Sequence, residues 1–343
     1  LRSNGGGILQ EAVRVVNLFV PEGELVVSQR GKNAAKGISY PTLVKAFAAD
    51  LPLAVLINGQ TASAAEIVAG ALQDLDRAVI VGERSFGKGL VQQTFNLPYN
   101  NLVKVTVAKY YTPSGRCIQA VDYVHRDSSG RYRTIPDSVI HSFHTKNGRT
   151  VFDGSGVFPD LEVTNPPHSP ITRTLLDRHL IFDYATHFRR THKGIADAGS
   201  FVVDDLIYSD FMEFLKGKDY QYLTKTEALV RQLKQLAGSE WESPDLKAEL
   251  EQLENRAYQD KQRYLLECRD EIGVVLGKEI VARFHYREGR YTYSQRFDRQ
   301  LKRALALFEP AANEYYSILS GEGTYKMIGR PAQLLAVTEA ANE

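Results

Sequence analysis

Hydrophobic residues come in short unbroken runs along the first half of the chain and at helical spacing along the second. Leu53-Ala54-Val55-Leu56-Ile57, bounded by Pro52 and Asn58-Gly59, predicts a strand buried on both faces. From Thr61 to Leu75 the chain is rich in Ala, Glu, Ile and Leu, with apolar residues at Ile67, Val68, Ala71 and Leu72, which predicts a helix. Ala78-Val79-Ile80-Val81 is a second buried-strand pattern ending at Gly82, and Leu102 to Tyr111 partly alternates as a strand does. Strand, helix, strand at this spacing predicts a βαβ unit with a right-handed crossover and a mainly parallel sheet.

Pro166-Pro167-His168-Ser169-Pro170 reads as a linker. Beyond it the pattern is helical and heavily charged. Thr224-x-x-Glu227 is a capping-box pattern, followed by Leu229, Val230, Leu233 and Leu236 on one stripe. Ser243-Pro244-Asp245 starts another helix, with an apolar stripe at Leu246, Leu250, Leu253 and Ala257. The expected organisation is an α/β domain over 1–165 and a mostly α-helical region over 171–343. Helices with one apolar stripe each are expected to pack on the core or on a second copy, so a homo-oligomer through this region is expected.

Lys+Arg 42 against Asp+Glu 41 leaves a formal net charge of +1, which argues against a dedicated nucleic-acid binder. The 43% hydrophobic and 24% charged content is that of an ordinary globular protein. No apolar run reaches the ~18 residues of a spanning helix. Two cysteines, Cys117 and Cys268, make neither a disulfide framework nor a cysteine zinc site, and no His-Glu-x-x-His occurs. No metal site is therefore expected. The chain opens inside a glycine-rich turn with neither Met nor signal sequence, and is expected to be a truncated piece.

Three stretches carry candidate chemistry. In Thr61-Ala62-Ser63-Ala64-Ala65-Glu66 a serine stands at a strand-to-helix turn among small residues. It serves there either as an N-cap or as a nucleophile near helix N-terminal amides. Gly82-Glu83-Arg84-Ser85-Phe86-Gly87-Lys88-Gly89 fits G-x-x-x-x-G-K, a phosphate-binding pattern. Two features count against that reading. Gly89 stands where Ser or Thr would hold magnesium, and Leu90 to Phe95 is too β-prone to supply a helix N-terminus. Asn4-Gly5-Gly6-Gly7 frees backbone N–H groups for an anion or oxyanion pocket.

Together these stretches resemble the carboxyl-terminal processing proteases, tail-specific serine peptidases with a Ser–Lys dyad. The family pattern is an Asn-Pro-Gly-Gly turn, a T-A-S-A-[AS]-E block and G-x-x-[ST]-[FY]-G-K-G-x-x-Q. Ser63 and Lys88 lie 25 residues apart, as in the family, and Tyr111-Thr112-Pro113-Ser114-Gly115-Arg116 and Gly156-Val157-Phe158-Pro159-Asp160 are further landmarks. The resemblance covers about residues 1 to 165. Gly5 replaces the family's proline, and the upstream helical segment and PDZ peptide-binding module have no counterpart in the sequence. The sequence is expected to be either a fragment of a longer enzyme or a form that has lost PDZ control.

The resemblance implies a crotonase/ClpP-like ββα core with a mostly helical C-terminal region. It implies a periplasmic or cell-envelope endopeptidase that cuts protein substrates near their C-termini without cofactor. Ser63 would be the nucleophile, Lys88 the general base, Gln92 the group that orients the lysine amine, and the Gly6 and Ala64 N–H groups the oxyanion hole. A buried Lys88, with Phe86 as apolar bulk and Gly87 and Gly89 allowing close approach, suits such a base. Asp74 lies eleven residues past Ser63, three helical turns away, and is expected to be structural, pairing with Arg77. The rival reading is a catalytically silent peptidase fold that docks a partner.

Overall fold

A computed structural model of the chain describes residues 1–32, 37–126, 129–130, 132–220, 228–230, 232–235, 248–250, 252–253, 263–309 and 313–329. The capping box at Thr224 and Glu227 and the helix start at Ser243 lie outside them. The chain forms two compact units, one of Leu1–Thr164 with the chain from Arg299 onward, the other Asn165–Asp298.

The first unit runs α1 (Leu9–Asn17), β1 (Leu25–Gly31), β2 (Ile38–Pro41), β3 (Ala54–Ile57), α2 (Ala64–Asp74), β4 (Val79–Gly82), β5 (Leu90–Leu97) and β6 (Asn101–Tyr111). Two small hairpins follow, β7 (Val121–Arg126) with β8 (Tyr132–Thr134) and β9 (Ser142–His144) with β10 (Thr150–Phe152), then β11 (Leu161–Glu162). The predicted βαβ unit is β3–α2–β4, paired in parallel from Ala54↔Val79 to Ile57↔Gly82. The expectation of a mainly parallel sheet needs correction. Among the described residues only β11, β4 and β3 form a parallel sheet, while β2, β1, β6 and β5 form a separate antiparallel one. β5 and β6 are joined by a short turn, and so close a connection allows only antiparallel pairing.

β3 and β4 are unbroken apolar runs because both faces of their sheet are covered. On one face Val55, Ile57 and Ile80 pack with Ile67, Val68 and Leu72 of α2. On the other, Val79 and Val81 pack with Ala304, Leu307, Tyr315 and Ile318. The latter residues belong to α7 (Arg299–Ala306), the turn after it, and α8 (Glu314–Ser320). The expected helical region over 171–343 therefore ends differently: its last helices complete the first unit's core, because the sheet's second face has to be covered.

The second unit contains α3 (Pro170–Asp177), α4 (Leu180–Thr191), α5 (Asp205–Phe214) and α6 (Arg269–Gln295). Pro170 at the first position and a Ser169 hydroxyl accepting from Thr172 N–H start α3. Its core joins Tyr184, Phe188, Phe211, Ile272, Leu276 and Ile280. α6 breaks at His285 and Tyr286, which leave helical geometry. The fold is thus a mixed α/β core with a helical C-terminal region. Among the described residues no helix is long and apolar enough to cross a membrane.

Candidate active site

The three sequence stretches meet at the N-terminus of α2. Ala62 N–H donates to Asn4 O at 2.9 Å, joining the first stretch to the second, and Phe86 N–H donates to Thr61 O at 2.9 Å, joining the third. Every residue of α2 is buried, so the helix is a fixed post. Ser63 sits at its N-cap, half-buried, with φ 58 and ψ −120. Positive φ in a residue other than glycine stores strain of about 1–3 kcal/mol and persists only where neighbours enforce it. Here they do: Ser63 O accepts from Glu66 N–H and Ile67 N–H, and Ser63 N–H donates to Glu66 Oε2 at 2.8 Å.

Gly6 lies against this turn with φ 89. A Cβ there would stand 2.6 Å from Ala62 O, 2.7 Å from Ala64 N and 2.9 Å from Ser63 Cβ, so the position has room for glycine alone. The Ala64 amide is at the first position of α2, where it has no intrahelical acceptor. The Gly6 amide is occupied, donating to Asn4 Oδ1 at 2.9 Å. Beside them opens an apolar cleft of about 190 Å³, bordered by Gly6, Ile8, Val15, Ala64 and Val68.

Lys88 is half-buried in the loop between β4 and β5. Gly87 packs on Ala120, and Gly89 packs on Gln119, whose Oε1 accepts Gly89 N–H at 2.7 Å. The expected apolar cover from Phe86 is weaker than anticipated, since that ring is 49% exposed. Among the described residues, no hydrogen bond joins Ser63 Oγ to Lys88 Nζ, and none joins Gln92 to Lys88. Gln92 is exposed on β5, just beyond a register shift after Val91. Leu90–Leu97 is a strand, which removes the helix N-terminus that a nucleotide-binding reading needs.

Glu66 carries more of the site than its place in the motif implied. Wholly buried, its carboxylate accepts Ser63 N–H and Lys88 N–H on Oε2, each at 2.8 Å. On Oε1 it accepts Gly87 N–H at 2.6 Å and Ser85 Oγ at 2.5 Å. Burial pushes this carboxyl above the ordinary glutamate range, with the four donors pulling the other way. The sequence signal was a charge within an otherwise apolar turn.

Asp74 is structural, but its partner is Arg116 at 2.8 Å, both fully buried, and its Oδ2 accepts Ser114 N–H. Arg77 is not that partner; it donates to the carbonyls of Phe19, Ala48 and Leu51. Arg149 bridges Asp76 and Asp160, each at 2.6 Å. The landmarks around Arg116 and Asp160 thus anchor the far end of the helix that begins at Ser63.

Residues 1–128 match the family model described as "Peptidase family S41", and residues 171–308 match "Probable PDZ-protease, C-terminal helical domain". Residues 1–128 thus resemble the S41 peptidases. It is similar to a carboxy-terminal-processing protease of Bartonella bacilliformis, 46% identical over 121 residues, covering 35% of this chain and 28% of that protein. A carboxyl-terminal-processing protease of Synechocystis sp. is 46% identical over 113 residues, covering 33% of this chain and 26% of its own length. The chain thus spans little more than a quarter of these relatives. A solved photosystem II D1 C-terminal processing protease aligns with 31% identity and a TM-score of 0.35, over 48% of this chain and 33% of that one.

Proposed function

We propose that this chain carries the peptidase portion of a serine endopeptidase that cleaves protein substrates near their C-termini. Ser63 Oγ attacks the scissile carbonyl carbon while Lys88, as the free amine, takes the hydroxyl proton. The tetrahedral oxyanion is received by Ala64 N–H, and by Gly6 N–H once the Asn4 side chain turns away. Lys88 then protonates the departing amine, and water hydrolyses the acyl-enzyme with Lys88 again as base. Gln92 orients the lysine amine without adding a charge that would hold it protonated. The apolar cleft beside Ala64 and Gly6 suits a small apolar substrate side chain.

The observation that carries this reading is the Ser63 turn itself. A strained serine caps a buried helix, glycine backbone lies against its Cβ, and the Lys88 turn is tied to the same point. Catalytic hydrogen bonds are often long before substrate binds, so an open Ser63–Lys88 contact is compatible with it. The relatives' names, bacterial and chloroplastic carboxyl-terminal processing enzymes, support the substrate class; a place in the periplasm or cell envelope rests on the family resemblance alone.

The test is covalent. A fluorophosphonate applied to the intact protein should label Ser63, as read by peptide mass mapping, and Lys88→Ala should abolish the labelling. Labelling elsewhere, or none in wild type, favours a silent peptidase fold instead.

A further inference from the structure

We infer that Glu66 is a positioning residue: one buried carboxylate sets the turn bearing Ser63 against the turn bearing Lys88. The inference rests on the Ser63–Lys88 reading and extends it to a side chain that touches no reacting atom.

A carboxylate offers about four acceptor sites. All four are used here, by Ser63 N–H and Lys88 N–H on Oε2, and by Gly87 N–H and Ser85 Oγ on Oε1. Three of these donors are backbone amides, which cannot reverse their role, so a side-chain NH2 in place of either oxygen does not fit. A simple helix cap would hold Ser63 N–H alone. Three of Glu66's four bonds instead go to residues 85–88, which have no part in capping α2. Ser85 extends the brace, because its Oγ also accepts Val157 N–H at 2.7 Å. The two turns come from segments 25 residues apart, and this carboxylate gives both amides the same oxygen as partner. Whatever shifts it moves Ser63 relative to Lys88, and a displacement near 1 Å between reacting groups costs on the order of 10²-fold in rate.

The test uses the intact protein and a peptide substrate, with kcat expressed per folded molecule. Glu66→Gln keeps the volume but points an NH2 group at backbone donors; kcat should fall on the order of 10²-fold, with KM within about 3-fold. Ser85→Ala leaves the carboxylate in place and removes one donor; kcat should fall about 10-fold, again with KM held. Ser63→Ala and Lys88→Ala are run alongside. If these two are inactive while Glu66→Gln keeps wild-type kcat, the positioning role is overturned and the dyad stands. Should Ser63→Ala or Lys88→Ala keep wild-type kcat, the underlying reading itself has failed. A loss in Glu66→Gln that vanishes when expressed per folded molecule, or that lies in KM alone, also overturns the inference. If Glu66→Gln does not fold, Ser85→Ala decides: lower kcat at unchanged KM supports the role, and wild-type kcat overturns it.

Discussion

Ser63 and Lys88 donate their backbone N–H groups to the same atom, Glu66 Oε2, each at 2.8 Å. Their side chains are not hydrogen-bonded to one another, so what links the two is the Glu66 carboxylate, through their backbone amides. The arrangement fixes the two backbone points from which these side chains start. It also places a helix N-terminus, with its outward-facing amides, directly after the candidate nucleophile.

The glycine turn before α1 gives a position-specific prediction. Gly6→Ala should destabilise the fold and suppress fluorophosphonate labelling of Ser63, because a Cβ would collide with Ala62 O and Ala64 N at φ 89. Gly5→Ala and Gly7→Ala should leave both nearly unchanged, since nothing lies within 4 Å of either added Cβ. Thermal unfolding and labelling rates of the three variants check this. Equal tolerance at all three positions would contradict the packing described.

Glu66 also predicts a pH dependence of stability. Its carboxyl is raised above the ordinary value of 4.5 by burial, so the folded state holds that proton more tightly than the unfolded chain. The stabilising contribution of the protonated form is present at low pH and is lost as pH climbs through the interval above 4.5. Glu66→Gln lacks this titration. The excess stability of wild type over Glu66→Gln should therefore shrink as pH rises above 4.5. Denaturant titrations at several pH values measure it, and a gap that widens with pH contradicts the direction.

At the other end of α2, Arg149 holds Asp76 and Asp160, all three side chains essentially inaccessible to solvent. Arg149→Met strands two buried carboxylates and should cost about 3–5 kcal/mol, read from urea unfolding. A loss below about 1 kcal/mol would show that these groups are neutral or hydrated in the folded state.

Much of the core was readable from short-range pattern. Leu53–Ile57 and Ala78–Val81 are apolar throughout and became the parallel strands, and the β-prone Leu90–Phe95 became β5. What covers the sheet's second face was not readable, because the apolar stripes of residues 299–320 do not name their partner. Nor was the pairing of Asp74. Arg77 is nearer in the chain, but its guanidinium is taken by three carbonyls, and Arg116 arrives from a distant turn. In the site, the three motifs were legible one by one, but their meeting at the start of α2 was implied only by the family resemblance. The shared role of Glu66 was not legible, because it depends on how the loop at 85–89 folds back over α2.

Lys88, as proposed, acts as an uncharged base for Ser63, and one substitution tests this most directly. Lys88→Arg keeps a cation of similar length but cannot give up its proton at any working pH. Peptide hydrolysis by the intact protein should fall in Lys88→Arg to the level of Ser63→Ala, since residues acting as one unit fail together. Substantial hydrolysis by Lys88→Arg, with Ser63→Ala inactive, would contradict the account and leave the serine with some other base.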